Sequence, residues 1–198
     1  MRSKRGNHNL HRWPLIAAAM PPECRRALDV GCGEGTLTRQ LRRSVSSVTG
    51  IDCDPASIAA ACAHPEAGDI AYVQADFLTA RFSPGSFDLI TAVASLHHMD
   101  ADAALRRMRA LLAPGGVLVA VGLARSRYPG DLPRDVASVV VNRLSRLTRN
   151  VWESPSPPMP PRASYAEMRE TGQRLLPGAR FRRHLLWRYS LVWQRPLS

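Results

Sequence analysis

The sequence predicts an α/β fold: a seven-stranded, mostly parallel sheet with helices on both faces and an antiparallel C-terminal hairpin. Three observations carry this. Apolar runs alternate with helical patterns from Ala27 to Leu123 without a hairpin signal, which implies parallel strands joined by right-handed crossovers. The first run stops in the glycine-rich turn Gly31-Cys-Gly-Glu-Gly35 and passes directly into a helical pattern. Near the C-terminus, the runs 179–187 and 190–193 are separated by too little chain for a crossover, so they must pair as a hairpin.

Taken in order, the 198 residues suit one domain at 26–198, preceded by a leader or cap at 1–25. Residues 1–12 are polar, and Trp13-Pro14 opens a short helical run to Met20 that Pro21-Pro22 ends. After the first strand, Leu37 and Leu41 lie four apart and mark a helix over Thr36 to Arg43. Val48 to Ile51 forms strand two, and Pro55 starts an alanine-rich helix that stops at Pro65. Ile70 to Ala75 and Phe87 to Val93 read as strands three and four, the latter preceded by the turn Ser83-Pro-Gly-Ser86.

A helix with Leu105, Met108, Leu111 and Leu112 at helical spacing ends in Ala113-Pro-Gly-Gly116, before strand five, Val117 to Gly122. From 124 to 165 the alternation breaks, and a helical lid insertion is expected there. Within it, 131–150 carries a broad apolar stripe from which Arg143 projects, either as a stem-packed surface arginine or as a lid group meeting an acidic substrate. Ser154 to Pro161 is too proline-rich for helix or inner strand. Tyr165 to Leu176 returns to helix before the hairpin, where Arg180, Arg182 and His184 fall on one side.

The glycine turn is where the chemistry concentrates. Glycine lets backbone approach a ligand closely, and the N–H groups at the following helix start offer donors to an anionic group. Asp52, about twenty residues on at the end of strand two, can accept hydrogen bonds from ribose hydroxyls. A dinucleotide site uses the same physics but places its third glycine one residue later. Here Gly31, Gly33 and Gly35 alternate, and the acids Asp29 and Glu34 would repel a pyrophosphate while suiting a cationic amino acid.

This pattern, with Leu111-Leu-Ala-Pro-Gly-Gly-Val-Leu118, resembles the class I S-adenosylmethionine-dependent methyltransferases, most closely their small-molecule "type 11" domains, over about 26–123. The resemblance implies a Rossmann-like fold with S-adenosyl-L-methionine as cofactor and S-adenosyl-L-homocysteine as product. It implies that Asp29, Gly31, Cys32, Gly33, Glu34 and Gly35 surround the methionine portion, and that Asp52 and Cys53 meet the ribose and adenine edge. Asp76 would take the adenine amino group with Phe77 covering the ring, unless Asp76 only caps the next turn. Ala94 and Ser95 would pass beneath the sulfonium side. The leader's His8, Asn9 and His11 either touch ligand or belong to a solvated terminus.

The loop Ala94-Ser-Leu-His-His98 falls at the carboxyl end of strand four, where open α/β folds bind ligands. It carries neither the Asn/Asp-Pro-Pro-aromatic turn of base-amine methyltransferases nor a Cys nucleophile. His97, or less favourably His98, is the candidate base for a hydroxyl acceptor, while catalysis by positioning alone would need neither.

Composition narrows the partners. The net charge is +11, yet residues 13–142 hold twelve Arg against thirteen acids, so the excess lies in 1–12 (+4) and 143–198 (+8). The first expectation is therefore a small-molecule methyl acceptor. An RNA methyltransferase using the basic ends is the alternative, and a non-catalytic cofactor-binding scaffold is a third. Cys24, Cys32, Cys53 and Cys62 lack metal-ligand spacing, so no metal is expected and they read as small buried thiols. No apolar run is long enough for a membrane span and no signal peptide is evident, which suits a cytoplasmic protein.

Overall fold

A computed structural model describes residues 13–125, 161, 163–185 and 187–197. Seven strands form one sheet in these residues, in the order β3-β2-β1-β4-β5-β7-β6. They are β1 (Arg26–Val30), β2 (Ser47–Asp52), β3 (Ala71–Gln74), β4 (Phe87–Val93), β5 (Leu112–Leu123), β6 (Arg180–Arg183) and β7 (Arg188–Gln194). The helices are α1 (Trp13–Ala19), α2 (Thr36–Arg42), α3 (Pro55–Ala63), α4 (Ala101–Leu111) and α5 (Tyr165–Leu175). The first five strands run parallel, and β7 is antiparallel to both β5 and β6, as the short 179–193 connection required.

Alternation along the central strands builds two cores. Ile90, Ala92, Leu118, Ala120, Leu191 and Trp193 face α4 and α5 on one side. Leu89, Val93, Val117, Val119, Val121 and Val192 face α1 and α2 on the other. The fully buried Ile16 places α1 in that second core, packed against the sheet. Leu112 leaves the helical pattern: α4 stops at Leu111 and Leu112 opens β5, opposite Phe87. The Pro114-Gly-Gly116 stretch then displaces the register before Leu89 pairs with Val117.

The cysteine reading holds for Cys24 and Cys32, which are buried, and fails for Cys53 and Cys62, which are exposed. Both sit at the margins of α3, whose inner face is already filled by Ile58 and Ala61. His184 lies on the same side as Arg180 and Arg182, its Nε2 2.8 Å from the hydroxyl of Ser190, the β7 partner of Arg182, but it is half-buried where those two are exposed on the edge strand. Charged side chains on an edge discourage pairing with another sheet. The 131–150 helix with Arg143, the leader with His8, Asn9 and His11, and 154–160 lie outside the described residues.

Candidate active site

Because β1 to β5 are parallel, their carboxyl ends meet at one edge of the sheet. Gly31 and Cys32 donate their N–H groups to the Ile51 carbonyl at 2.8 and 3.1 Å, tying the glycine turn to β2. Gly31 has φ +70°, and a Cβ there would stand 2.2 Å from the Ser95 Cβ, so the loop after β4 crosses directly over the turn. Ser95 locks that crossing by donating from Oγ to the Val30 carbonyl at 2.7 Å. Ala94, at φ +57°, takes a left-handed conformation uncommon for a side-chain-bearing residue, held by its N–H bond to Val121 O at 2.7 Å.

Gly33 is different. At φ +52° it has no atom within 4 Å of the direction a Cβ would take, so that side of the turn opens onto empty space. Its N–H donates to Asp52 Oδ2 at 2.8 Å, while Asp52 Oδ1 accepts from the Asp54 N–H at 3.0 Å. The carboxylate is thus held by backbone on both oxygens, and each keeps acceptor capacity. Glu34 is exposed beside it, and Arg39 reaches back to the Glu34 carbonyl at 2.7 Å.

Asp29 lies beneath the turn, 2 % exposed. Its Oδ2 accepts from the Thr38 hydroxyl at 2.8 Å and its Oδ1 from the Thr91 hydroxyl at 2.9 Å. Burial pushes its carboxyl up to about 6, against the two threonine bonds that pull it down, with the nearby Asp52 charge adding a smaller upward push. Asp29 thus ties the end of β1 to α2 and to β4, and its bonds go to protein hydroxyls. Cys32, also buried, has its thiol pushed far up by burial first and by the Asp29 and Asp52 charges after it, so it is an inert packing group.

At the end of β3, Asp76 is exposed and accepts from the Leu78 N–H through Oδ1 at 2.8 Å, capping the following turn. Its second oxygen has no hydrogen bond among the described residues. Phe77 departs from its expected place: it is 4 % exposed and packed in the core with Leu28, Val30 and Ile51. The Arg107 guanidinium lies 5.5 Å from its ring centroid, so this ring does not line the open edge. A phenylalanine following an inward-turning strand end is drawn to apolar surface before a solvent-facing site. Cys53 is exposed next to Asp52.

His97 and His98 close a single 3-10 turn, Leu96–His98, and their rings stand 4.0 Å apart at 39°. His98 is exposed; His97 is half-buried, and its Nδ1 is buried without a hydrogen-bond partner among the described residues. Burial first, then the His98 and Arg188 charges, pull the His97 imidazole down to about 4.

Two threonines escaped the sequence reading although a signal was present. Thr91 is a polar residue within the apolar run Leu89–Val93 and pairs in register with Asp29; Thr38 follows the glycine turn by one helical step. Tyr72 carried no signal. Its hydroxyl stands 2.3 Å from where a Gly35 Cβ would be, so Gly35 and Gly50 make room for that ring against the turn.

Comparison with known proteins identifies the domain that carries this edge. A methyltransferase domain family matches residues 27–116, from β1 through the turn before the paired part of β5. An uncharacterized methyltransferase of Mycobacterium tuberculosis is 33% identical over 193 residues, covering 96% of this chain and 98% of the relative. A ubiquinone biosynthesis O-methyltransferase of Ralstonia nicotianae is 34% identical over 144 residues, covering 70% of this chain and 60% of that protein. A solved structure of an S-adenosylmethionine-dependent methyltransferase from Methanosarcina mazei matches with a TM-score of 0.66 over 93% of this chain and 98% of that one. Its 16% identity makes that a likeness of fold alone.

Proposed function

Since the chain belongs to the class I S-adenosylmethionine-dependent methyltransferases, we propose that it methylates a small organic acceptor, chiefly by holding donor and acceptor in line. The observation that carries this is Gly33: an open, left-handed glycine whose N–H already orients the Asp52 carboxylate. A Cβ at that position would fill the space that a closely approaching ligand needs. The residues therefore fit the cofactor.

When bound, the cofactor supplies a methyl carbon activated by its sulfonium sulfur, and the remaining work is orientation, worth roughly 7–11 kcal/mol in well-aligned models. The backbone from Gly31 to Gly35 cradles the methionine portion with Glu34 beside it, and Asp29 holds that backbone from beneath. Asp52 accepts from the ribose hydroxyls next to Cys53. The second oxygen of Asp76 faces the base edge, and Ala94 and Ser95 floor the reacting centre. His97 and His98 flank the acceptor. An imidazole held near 4 is neutral at physiological pH but retains a proton weakly, so His97 orients the acceptor rather than storing its proton.

Among the described residues no observation favours an RNA substrate, and several arginines of the basic C-terminal section are engaged with the protein itself: Arg174 pairs with Asp102, Arg195 donates to the Leu112 carbonyl and Arg183 stacks 4.0 Å above the Tyr165 ring. The test is calorimetric titration of the full chain with S-adenosylmethionine, followed by methyl transfer to a panel of small acceptors. Binding heat in the wild type, lost in Gly33→Ala and weakened in Asp52→Asn, supports the reading; heat that both variants retain in full refutes it. His97→Ala should slow turnover while leaving that heat unchanged.

A further inference from the structure

The carboxyl edge of the sheet is divided by charge. The half built on β1 to β3 presents Glu34, Asp52 and Asp76. The half beyond β4 presents His97, His98, Arg125 and Arg188. Among the described residues of that half, Asp100 Oδ1 accepts from the Ala103 N–H at 2.9 Å, and Glu167 Oε2 accepts from the Ser164 N–H at 2.7 Å.

Register brings the basic groups together. Ala94 is bonded to Val121, Val121 pairs with Ser190 on β7, and Leu123 pairs with Arg188, so the first residue of β7 stands beyond the loop that carries His97. The Ala124 N–H bond to the Trp187 carbonyl at 3.1 Å and the Arg125 N–H bond to the Ala163 carbonyl at 2.9 Å hold the chain after β5 at the same edge. Arg188 is close enough for its charge to depress the His97 imidazole, and the adjacent His98 ring, tilted at 39°, acts in the same sense.

The geometry points to a methyl acceptor that arrives as a small organic anion, seated with its negative group against His97, His98 and Arg188 and its nucleophilic atom toward Gly31 and Ser95. This rests on the methyl-transfer reading above and names its substrate class. The arrangement is self-consistent: a cationic donor lies over the acidic half and an anionic acceptor over the basic half.

The test uses the full-length chain loaded with S-adenosylhomocysteine and ligand-observed NMR. The probes are pairs differing in charge alone: benzoate against benzamide, and hexanoate against hexanamide. Each acid should bind about tenfold more tightly than its amide, the size of one charge-assisted contact. The preference should collapse in Arg188→Gln, survive in Arg188→Lys and fade with added salt. Arg125→Gln, an exposed change, should reduce it and reads the same effect if Arg188→Gln fails to fold. Equal binding of acid and amide, binding by neither, or a preference that both glutamine variants leave intact overturns the inference. The heat of S-adenosylhomocysteine binding is measured first on the same sample. Its absence would sink the methyl-transfer reading, whereas heat without acid preference sinks only the anionic acceptor.

Discussion

Replacing Asp29 with asparagine should change how stability depends on pH more than it changes the fold. The folded carboxyl sits at about 6 against an ordinary value of 3.8, a gap of about two units. Below pH 4 the group is protonated in both states and contributes no slope. Between about pH 4 and 6 the unfolded chain releases this proton while the folded chain keeps it, so wild-type stability falls as pH rises. Above 6 both states are ionised and the loss is complete. At about 1.4 kcal/mol per unit, it amounts to about 3 kcal/mol.

The substituted amide cannot ionise, and Thr38 and Thr91 can each turn their hydroxyls to donate or accept, so the two contacts survive in reoriented form. Urea unfolding of both proteins at pH 4 and pH 7 isolates the effect, because the other carboxylates cancel in the comparison. Stability of Asp29→Asn relative to wild type should rise by about 3 kcal/mol across that interval. Parallel pH profiles would refute the reasoning. If the variant does not fold, a wild-type Asp29 carboxyl carbon that titrates at the ordinary 3.8 does so equally.

Four further outcomes follow from the geometry. Gly33→Ala should cost only about 1–2 kcal/mol of stability, the left-handed penalty, because its Cβ meets no atom within 4 Å. Gly31→Ala should cost more or abolish folding, because its Cβ would collide with Ser95 at 2.2 Å, and thermal melts of the two variants compare them directly. The His97 ring should titrate near 4 by NMR, so kcat should show no rising limb between pH 6 and 7 from this residue; a midpoint above 6 would return it to the role of base. Ser164→Ala removes one arm of the capping box that starts α5 and should lower stability by about 1 kcal/mol in chemical denaturation, leaving cofactor binding heat unchanged.

Much of the fold is legible because its signals are local. The glycine turn, the proline that opens α3, the Pro-Gly-Gly stretch before the paired part of β5 and the short link between β6 and β7 each restrict the chain within a few residues. Their sequence spacing therefore carries strand order and direction. The candidate site is legible as far as backbone decides it: Gly31, Gly33, Asp52 and Ser95 assemble at one edge because parallel strands end together. Side-chain direction is a different matter. Phe77 follows the β3 end as closely as Asp76 does, yet Phe77 goes into the core and Asp76 stays at the surface, since competition between apolar burial and solvation is settled by neighbours distant in sequence.

By itself, then, the sequence determined a parallel sheet closed by a hairpin, a glycine turn and the acid held beside it at the end of β2, all consequences of backbone geometry over short spans. Tertiary structure alone decided that Asp29 is buried between Thr38 and Thr91, that burial pulls the His97 imidazole down, and that Arg188 stands opposite Leu123 at the carboxyl edge. Each of these depends on strands brought together across 60 residues or more, and both burial and charge act through space.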